Sequence, residues 1–435
     1  MLHVVSLLST ALSPTVTSTL PWQLTSAVST IGALEQTGYG SARPHSLLEV
    51  MHDNESGLCS EGVWHNSWLG VSRILVARQF RAAGEDEKAA ASLKSAFTLG
   101  DSLHTMSFDG SGFRQRSSSG IWEAASASAI ADAGEDPLFY EASDVHRCVS
   151  SGAACIFFSL LAEEAEPGTP LADEAESRAL EVYDAFTAEF FDTSACRFRR
   201  DNREFDDADR ADTSSPSTGY WRAVDQAIGC LACMRMAKVG HKTAMSRAMA
   251  SSAADSLLRE FGYSLFATEQ QPPGTYLGRA PQPPRNSWHD GLACLALITS
   301  GVLGVGGETP AGLVRAMADS YRDPESKVIL HSPRELRSRA AAEEPNGATD
   351  NVAFTSTQAL WSAIVRAAEL SSERAEAVGG ADVPALRAWY EAQGEPETGL
   401  LPVANVYATP RLWANTEWAA FVLLNKDVFV ATTKA

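Results

Sequence analysis

Trp64-His65-Asn66-Ser67-Trp68-Leu69-Gly70-Val71-Ser72-Arg73-Ile74-Leu75-Val76 is a polar, aromatic opening that runs directly into an apolar helix. Leu69, Val71, Ile74, Leu75 and Val76 recur at helical spacing, and the pattern stops at Ala82-Ala83-Gly84. Glu85 to Leu103 repeats the period with charges on its outer side, so the short Gly84 turn predicts an antiparallel helical hairpin. Five further openings follow, each ahead of an alanine-rich apolar run. They are Asp144-Val145-His146, Tyr220-Trp221-Arg222-Ala223-Val224-Asp225, Asn286-Ser287-Trp288-His289-Asp290, Asp350-Asn351 and Trp413-Ala414-Asn415-Thr416-Glu417-Trp418. A recurring unit predicts stacked supersecondary repeats.

Each opening begins a predicted hairpin. The second covers Asp144 to Glu166 and Leu171 to Phe191, divided by Pro167-Gly168-Thr169-Pro170. The third covers Gly219 to Val239 and Lys242 to Phe261; the fourth, Ser287 to Leu303 and Ala311 to Tyr321. The fifth covers Asp350 to Leu370 and Val383 to Gln393. The sixth starts at Leu412, and a helix near Trp22 to Glu35 is its expected partner, closing a ring. A second repeat supports the division: Phe108-Asp109-Gly-Ser-Gly-Phe113-Arg114 and Phe191-Asp192-Thr-Ser-Ala-Cys-Arg-Phe198-Arg199 are one connector with a two-residue insertion. Arg200 to Thr218, Gly262 to Arg285 and Asp323 to Thr349 are long loops, which in a compact domain point to function or motion.

Six hairpins, inner helices opening on Trp with an acid or His, and Phe-Asp-x-x-x-Phe-Arg returns resemble the six-hairpin glycosidase superfamily. The resemblance implies an all-α (α/α)6 toroid with long irregular loops on one face, and a carbohydrate substrate. It covers nearly the whole chain and is architectural, with no family signature. The expected organisation is a leader or disordered stretch over 1–20, one toroid over 21–425 and a C-terminal tail over 426–435.

Bulk composition narrows the partners. The 435 residues carry 35 basic and 54 acidic side chains, a formal charge of −19. Nucleic acid and anionic membranes need a positive surface and are excluded as expected partners. No run reaches the roughly 18 apolar residues of a membrane span. The first 34 residues hold no Asp, Glu, Lys or Arg, yet lack both the basic start of a secretory signal and the arginines of a transit peptide. A soluble protein, cytoplasmic or organellar rather than secreted, is the expectation. Seven cysteines fit no pairing scheme, and Cys148, Cys155, Cys230, Cys233 and Cys294 lie in apolar runs as small hydrophobes. No Cys/His cluster has zinc spacing, and no phosphate loop or nucleophile elbow occurs. Neither a metal nor a cofactor is expected.

Six helix starts that converge would line one funnel with free N–H groups and positive dipole ends. Sugars bind on aromatic platforms interleaved with carboxylates. Trp64, Trp68, Trp221, Trp288, Trp413 and Trp418, with Tyr220 and Arg222, form the expected platform; for any single Trp, core packing is the plainer reading. Asp225, Asp290 and Glu417 follow tryptophans by two to four positions. Any two could supply the acid and base of glycoside hydrolysis, which needs carboxyls roughly 5 to 9.5 Å apart; a helix-start acid that only complements the dipole is the simpler alternative. Glu123 is a further candidate, and Asp350 reads as an N-cap. His65 and His289 hold matching places in the first and fourth hairpins and suit proton transfer beside a sugar carbonyl. Three functions therefore stand: a glycoside hydrolase acting on a small or oligomeric sugar, a sugar 2-epimerase or isomerase built on the two histidines, and a silent toroid serving as a binding scaffold.

Overall fold

The computed structural model describes residues 21–36, 62–114, 146–202, 221–259, 287–302, 309–331, 353–370, 374, 383–393, 400–404, 407–410 and 412–430. Among these are twelve α-helices: α1 Trp22–Gln36, α2 Val63–Ala82, α3 Asp86–Ser107, α4 Cys148–Glu164, α5 Pro170–Phe190, α6 Ala223–Lys238, α7 Thr243–Arg259, α8 Ser287–Ser300, α9 Pro310–Tyr321, α10 Thr355–Ala367, α11 Val383–Gln393 and α12 Leu412–Phe421. Two short antiparallel strand pairs accompany them, β1 Phe191–Asp192 with β2 Arg197–Phe198 and β3 Pro402–Ala404 with β4 Tyr407–Pro410. The architecture is the (α/α)6 toroid.

The ring is explicit in the packing. Helices α2, α4, α6, α8, α10 and α12 each contact the next, and α12 returns to α2. Helices α3, α5, α7, α9 and α11 pack outside their inner partners, and α1 covers α12 and α2. Burial follows this division. From Asn66 to Ala77 every residue of α2 is buried, its polar Asn66, Ser67, Ser72 and Arg73 each paired, whereas α5 buries only the stripe Ala175, Ala179, Val182, Tyr183, Phe186 and Phe190.

Small residues let the inner helices approach. A Cβ on Gly70 would stand 2.2 Å from Phe157, and one on Gly152 would stand 2.3 Å from Ile228 of the next helix. Turns inside the first and third hairpins use Gly84 and Gly240 at φ 76° and 90°, a region closed to most side chains.

Two of the outer helices start differently from the inner ones, while the outer α3 also lacks a side-chain cap. Outer helices α5 and α9 open on Thr-Pro: Thr169 and Thr309 accept from the N–H of Ala172 and Gly312 at 3.2 and 3.0 Å. Inner helices α2, α4, α6 and α10 have no side-chain cap, which leaves amide donors at that end of the ring.

A repeated amide holds three of the return segments to the inner helices that follow them. Gln226 accepts from Phe198 N at 2.9 Å and donates to Phe198 O at 2.6 Å. Gln358 does the same to Ile329 at 3.0 and 2.7 Å, and Asn415 to Leu401 at 2.9 Å in both directions. All three occupy the fourth position of their helices. The connectors share an Asp that caps its own turn: Asp109 accepts from the N–H and hydroxyl of Ser111, and Asp192 from those of Ser194. Asp323 with Ser326 is a third copy, in a stretch expected to be only a long loop.

The opposite end of the ring is closed by charge and by the chain's own C-terminal segment. Arg235, fully buried, donates to Ser159, to Glu163 at 2.6 Å and to Val428 O at 3.0 Å. Arg366 donates to the carbonyls of Phe421 and Leu424. Residues 426–430, placed in a tail by the sequence, turn under the ring, where Val428 and Phe429 are buried. Among the described residues no helix is long and apolar enough to cross a membrane.

Candidate functional site

The uncapped inner-helix starts bring together residues far apart in sequence. Trp64 and Trp288 are each the second residue of their helices, α2 and α8. Their rings meet edge to face with centroids 5.5 Å apart. Between them lies Glu417 of α12, whose Oε1 accepts from Trp64 Nε1 at 2.6 Å and whose Oε2 accepts from Trp288 Nε1 at 3.0 Å. Burial pushes this carboxyl up to about 7, against the pull of the two indole N–H groups and of Ser356 on α10.

His65 and His289 are the third residues of α2 and α8. Burial lowers the His65 imidazole to about 4, and its Nδ1 is enclosed without a hydrogen bond. His289 is lowered to about 3, first by burial and then by the positive charges of Arg222 and His331 nearby. Both are neutral bases at pH 7. His331 lies two residues beyond the clamped Ile329; its carbonyl accepts from Ser287 N at 2.9 Å, and its ring packs on Phe354. Burial lowers its basicity as well, and its Nδ1 is enclosed and unpaired.

The carboxylates expected beside Glu417 are otherwise engaged. Asp225, fully buried, takes Arg222 Nε and Nη2 at 2.6 and 2.8 Å. Burial raises this carboxyl while Arg222 and Arg200 pull it back, and Arg200 itself lies beside Asp201. Asp290 accepts from the Tyr321 hydroxyl. It stands at the fourth position of α8, where Gln226, Gln358 and Asn415 stand in theirs, and like them it ties its helix to the element outside.

The expected tryptophan platform separates into two groups. Trp64 and Trp288 are partly exposed at the helix starts, and Trp221 is partly exposed with Arg197 over its ring at 5.4 Å. Trp68 and Trp418 are core residues instead, each fully buried. Trp68 packs on Phe421, and Trp418 donates to Ser26 and stacks on Tyr390. The reason is depth: Trp68 lies one turn below Trp64 on the same face, and both Trp68 and Trp418 pack against neighbouring helices. The side chain of Trp413 lies outside the described residues, as do Tyr220, Glu123 and Asp350. Most of the three long loops do too.

His331 was missed by the sequence reading. Its signal was the third connector, Tyr321-Arg322-Asp323 to Ile329, in register with Phe191 to Phe198; two residues past the clamped position stand Arg200 in one copy and His331 in the other. No group of three or more His, Cys, Asp or Glu among the described residues could hold a metal.

No family model matches the chain, and no curated protein matches it. Solved structures do. A D-mannose isomerase superposes with TM-score 0.58 at 12% identity, over 92% of this chain and 97% of that one. A cellobiose 2-epimerase from Bacillus thermoamylovorans gives 0.57 at 8%, over 91% and 98%. A family 76 glycoside hydrolase (mannosidase) from Bacteroides thetaiotaomicron gives 0.56 at 10%, over 93% and 97%. The fold these structures share with this chain is the (α/α)6 toroid. The likeness is one of architecture, spans whole chains on both sides and singles out no family within the group.

Proposed function

We propose that this protein is a carbohydrate-active enzyme that moves a proton beside the carbonyl of a reducing sugar, as a 2-epimerase or aldose–ketose isomerase does. The observation that carries the reading is the grouping of two neutral imidazoles, His289 and His331, with Arg222. Asp225 occupies Nε and Nη2 of Arg222, and no described residue engages its Nη1. A neutral imidazole can take the C2 proton of an open-chain sugar. The electron pair left behind passes to the carbonyl oxygen, and a fixed guanidinium stabilises the resulting enediolate. Return of the proton to the other face of C2 gives the epimer; return to C1 gives the isomer. Two of the similar structures carry epimerase and isomerase in their names, which supports the same choice. His65, across the ring, is the alternative second base.

Hydrolysis is a second reading, favoured by one observation: Glu417 is held near 7 in an aromatic enclosure, as a proton donor to a glycosidic oxygen should be. It needs a second carboxylate, and Asp225 and Asp290 are both committed to other partners.

Incubation of the protein with glucose, mannose, fructose and cellobiose in D2O distinguishes these. The expected result is deuterium at C2 of recovered aldose or at C1 of recovered ketose, with His289→Asn lowering exchange at least a hundredfold. New reducing ends from oligosaccharides without solvent exchange would favour hydrolysis. Neither exchange nor cleavage on any of these sugars would overturn the enzyme reading.

A further inference from the structure

Glu417 is bound from two sides of the ring. Trp64 and Trp288 sit on α2 and α8, which stand three places apart among the six inner helices. Each donates its indole N–H to a different oxygen of the one carboxylate, at 2.6 and 3.0 Å. A donor acid must aim an O–H at the substrate, whereas both oxygens here face indole donors. The same two rings are partly exposed at this end of the ring, in edge-to-face contact with each other. Trp64 also meets Trp68 edge to face at 5.4 Å, so the first indole is anchored to the core behind it.

We infer that Glu417 is a positioning residue: its carboxylate clasps Trp64 and Trp288 across the ring axis and sets the aromatic platform on which a sugar's apolar face rests. This rests on the carbohydrate reading above, though not on which reaction follows. The physical reason is rotational. An indole whose N–H is fixed in plane can no longer turn about its χ2, so its face is preorganised and less entropy is lost when a ring stacks on it. The clasp is stronger when ionised, because a charged acceptor makes the shorter, firmer hydrogen bond. Groups facing the clasp are His65 beside Trp64, His289 beside Trp288, Ser356 on α10, and Arg222 and His331 near His289. His65 and His289 titrate at about 4 and 3 and burial lowers His331 below its ordinary 6.5, which leaves a transition near 7 to Glu417.

The clasp can be read without any sugar. Tryptophan emission of the full-length protein should change through one transition near pH 7, which Glu417→Gln abolishes and His65→Asn retains. If Glu417→Gln does not fold, Trp288→Phe carries the test: loss of one donor to the ionised form moves the midpoint upward. No transition, or one untouched by both variants, overturns the inference. With cellobiose or mannose as probe, Glu417→Gln should raise KM, or the dissociation constant by emission quenching, at least fivefold, with a smaller fall in kcat. A hundredfold loss of kcat at unchanged KM would instead make Glu417 a catalytic acid and overturn the clasp. Failure of every sugar to bind sinks the carbohydrate reading while the emission transition still stands, so the two failures are separable.

Discussion

His65 is partly buried and Glu417 buried near helix starts, and desolvation moves them in opposite directions because one is neutral before protonation and the other after it. For His65 the folded value, about 4, lies below the ordinary 6.5. Its contribution to stability is therefore present above pH 6.5 and lost as pH falls toward 4. For Glu417 the folded value, about 7, lies above the ordinary 4.5. Its contribution is present below pH 4.5 and lost as pH rises toward 7, a change of about 3 kcal/mol at one pKa unit per 1.4 kcal/mol. Urea denaturation at several pH values checks both. Glu417→Gln should gain on the wild type between pH 4.5 and 7, and His65→Asn should gain on it between pH 6.5 and 4. Differences that stay flat over those windows would show the groups are solvated in the folded protein.

Elements are held in register by the amide clamps, and this joins the fold to the site. Gln358 satisfies both backbone groups of buried Ile329, and His331 follows two residues later. Gln358→Ala leaves a buried N–H and C=O unpaired, at a cost of about 2–4 kcal/mol, and releases the segment that carries His331. We expect a lowered Tm together with a loss of turnover larger than that caused by Asn415→Ala, which frees Leu401 instead. Equal losses of turnover in the two variants at equal stability would show that His331 has no part in the chemistry. The helices and turns were legible because hydrophobic period and the glycine and proline breaks at Gly84, Pro167-Gly168-Thr169-Pro170 and Gly240 act locally. The clamps were not: a glutamine at the fourth position of a helix looks like any polar residue until the strand it holds is beside it. The same holds for Asp290, read as a candidate acid because a tyrosine 31 residues away had no visible claim on it.

At the scale of the molecule the two ends of the ring do different work. One presents amide donors, indoles and neutral imidazoles; the other is sealed by buried arginines and residues 422–430. Burial sharpens that seal. Arg235, Arg78 and Lys238 hold Glu163 down at about 2 although its own burial opposes them. Arg235→Ala strips the sealing segment of one anchor and leaves Ser159 and Glu163 short of a donor, so a loss of about 3–5 kcal/mol is expected by calorimetry or denaturation. Truncation after Asn425 should destabilise comparably, since it exposes the surface covered by Val428 and Phe429. A truncated chain with unchanged stability would show that the segment is a tail after all.

Sequence by itself determined the ring. Six apolar runs with polar openings, recurring at one hairpin per repeat, have few ways to bury their surfaces other than against one another, and hydrophobic period is a local property of the chain. It also determined that Trp64, His65, Trp288, His289 and Glu417 would stand at one end, because similar helix starts in a closed ring share a location. Tertiary structure alone decided what each does there. Which tryptophan of α2 reaches the opening depends on depth along the helix, which put Trp68 in the core behind Trp64; Trp418 lies in the core as well. Which acid is ionised, paired or clasped depends on partners brought from other helices: Arg222 to Asp225, Tyr321 to Asp290, two indoles to Glu417. A pKa is set by what surrounds a group in space, and that information is spread across the whole ring.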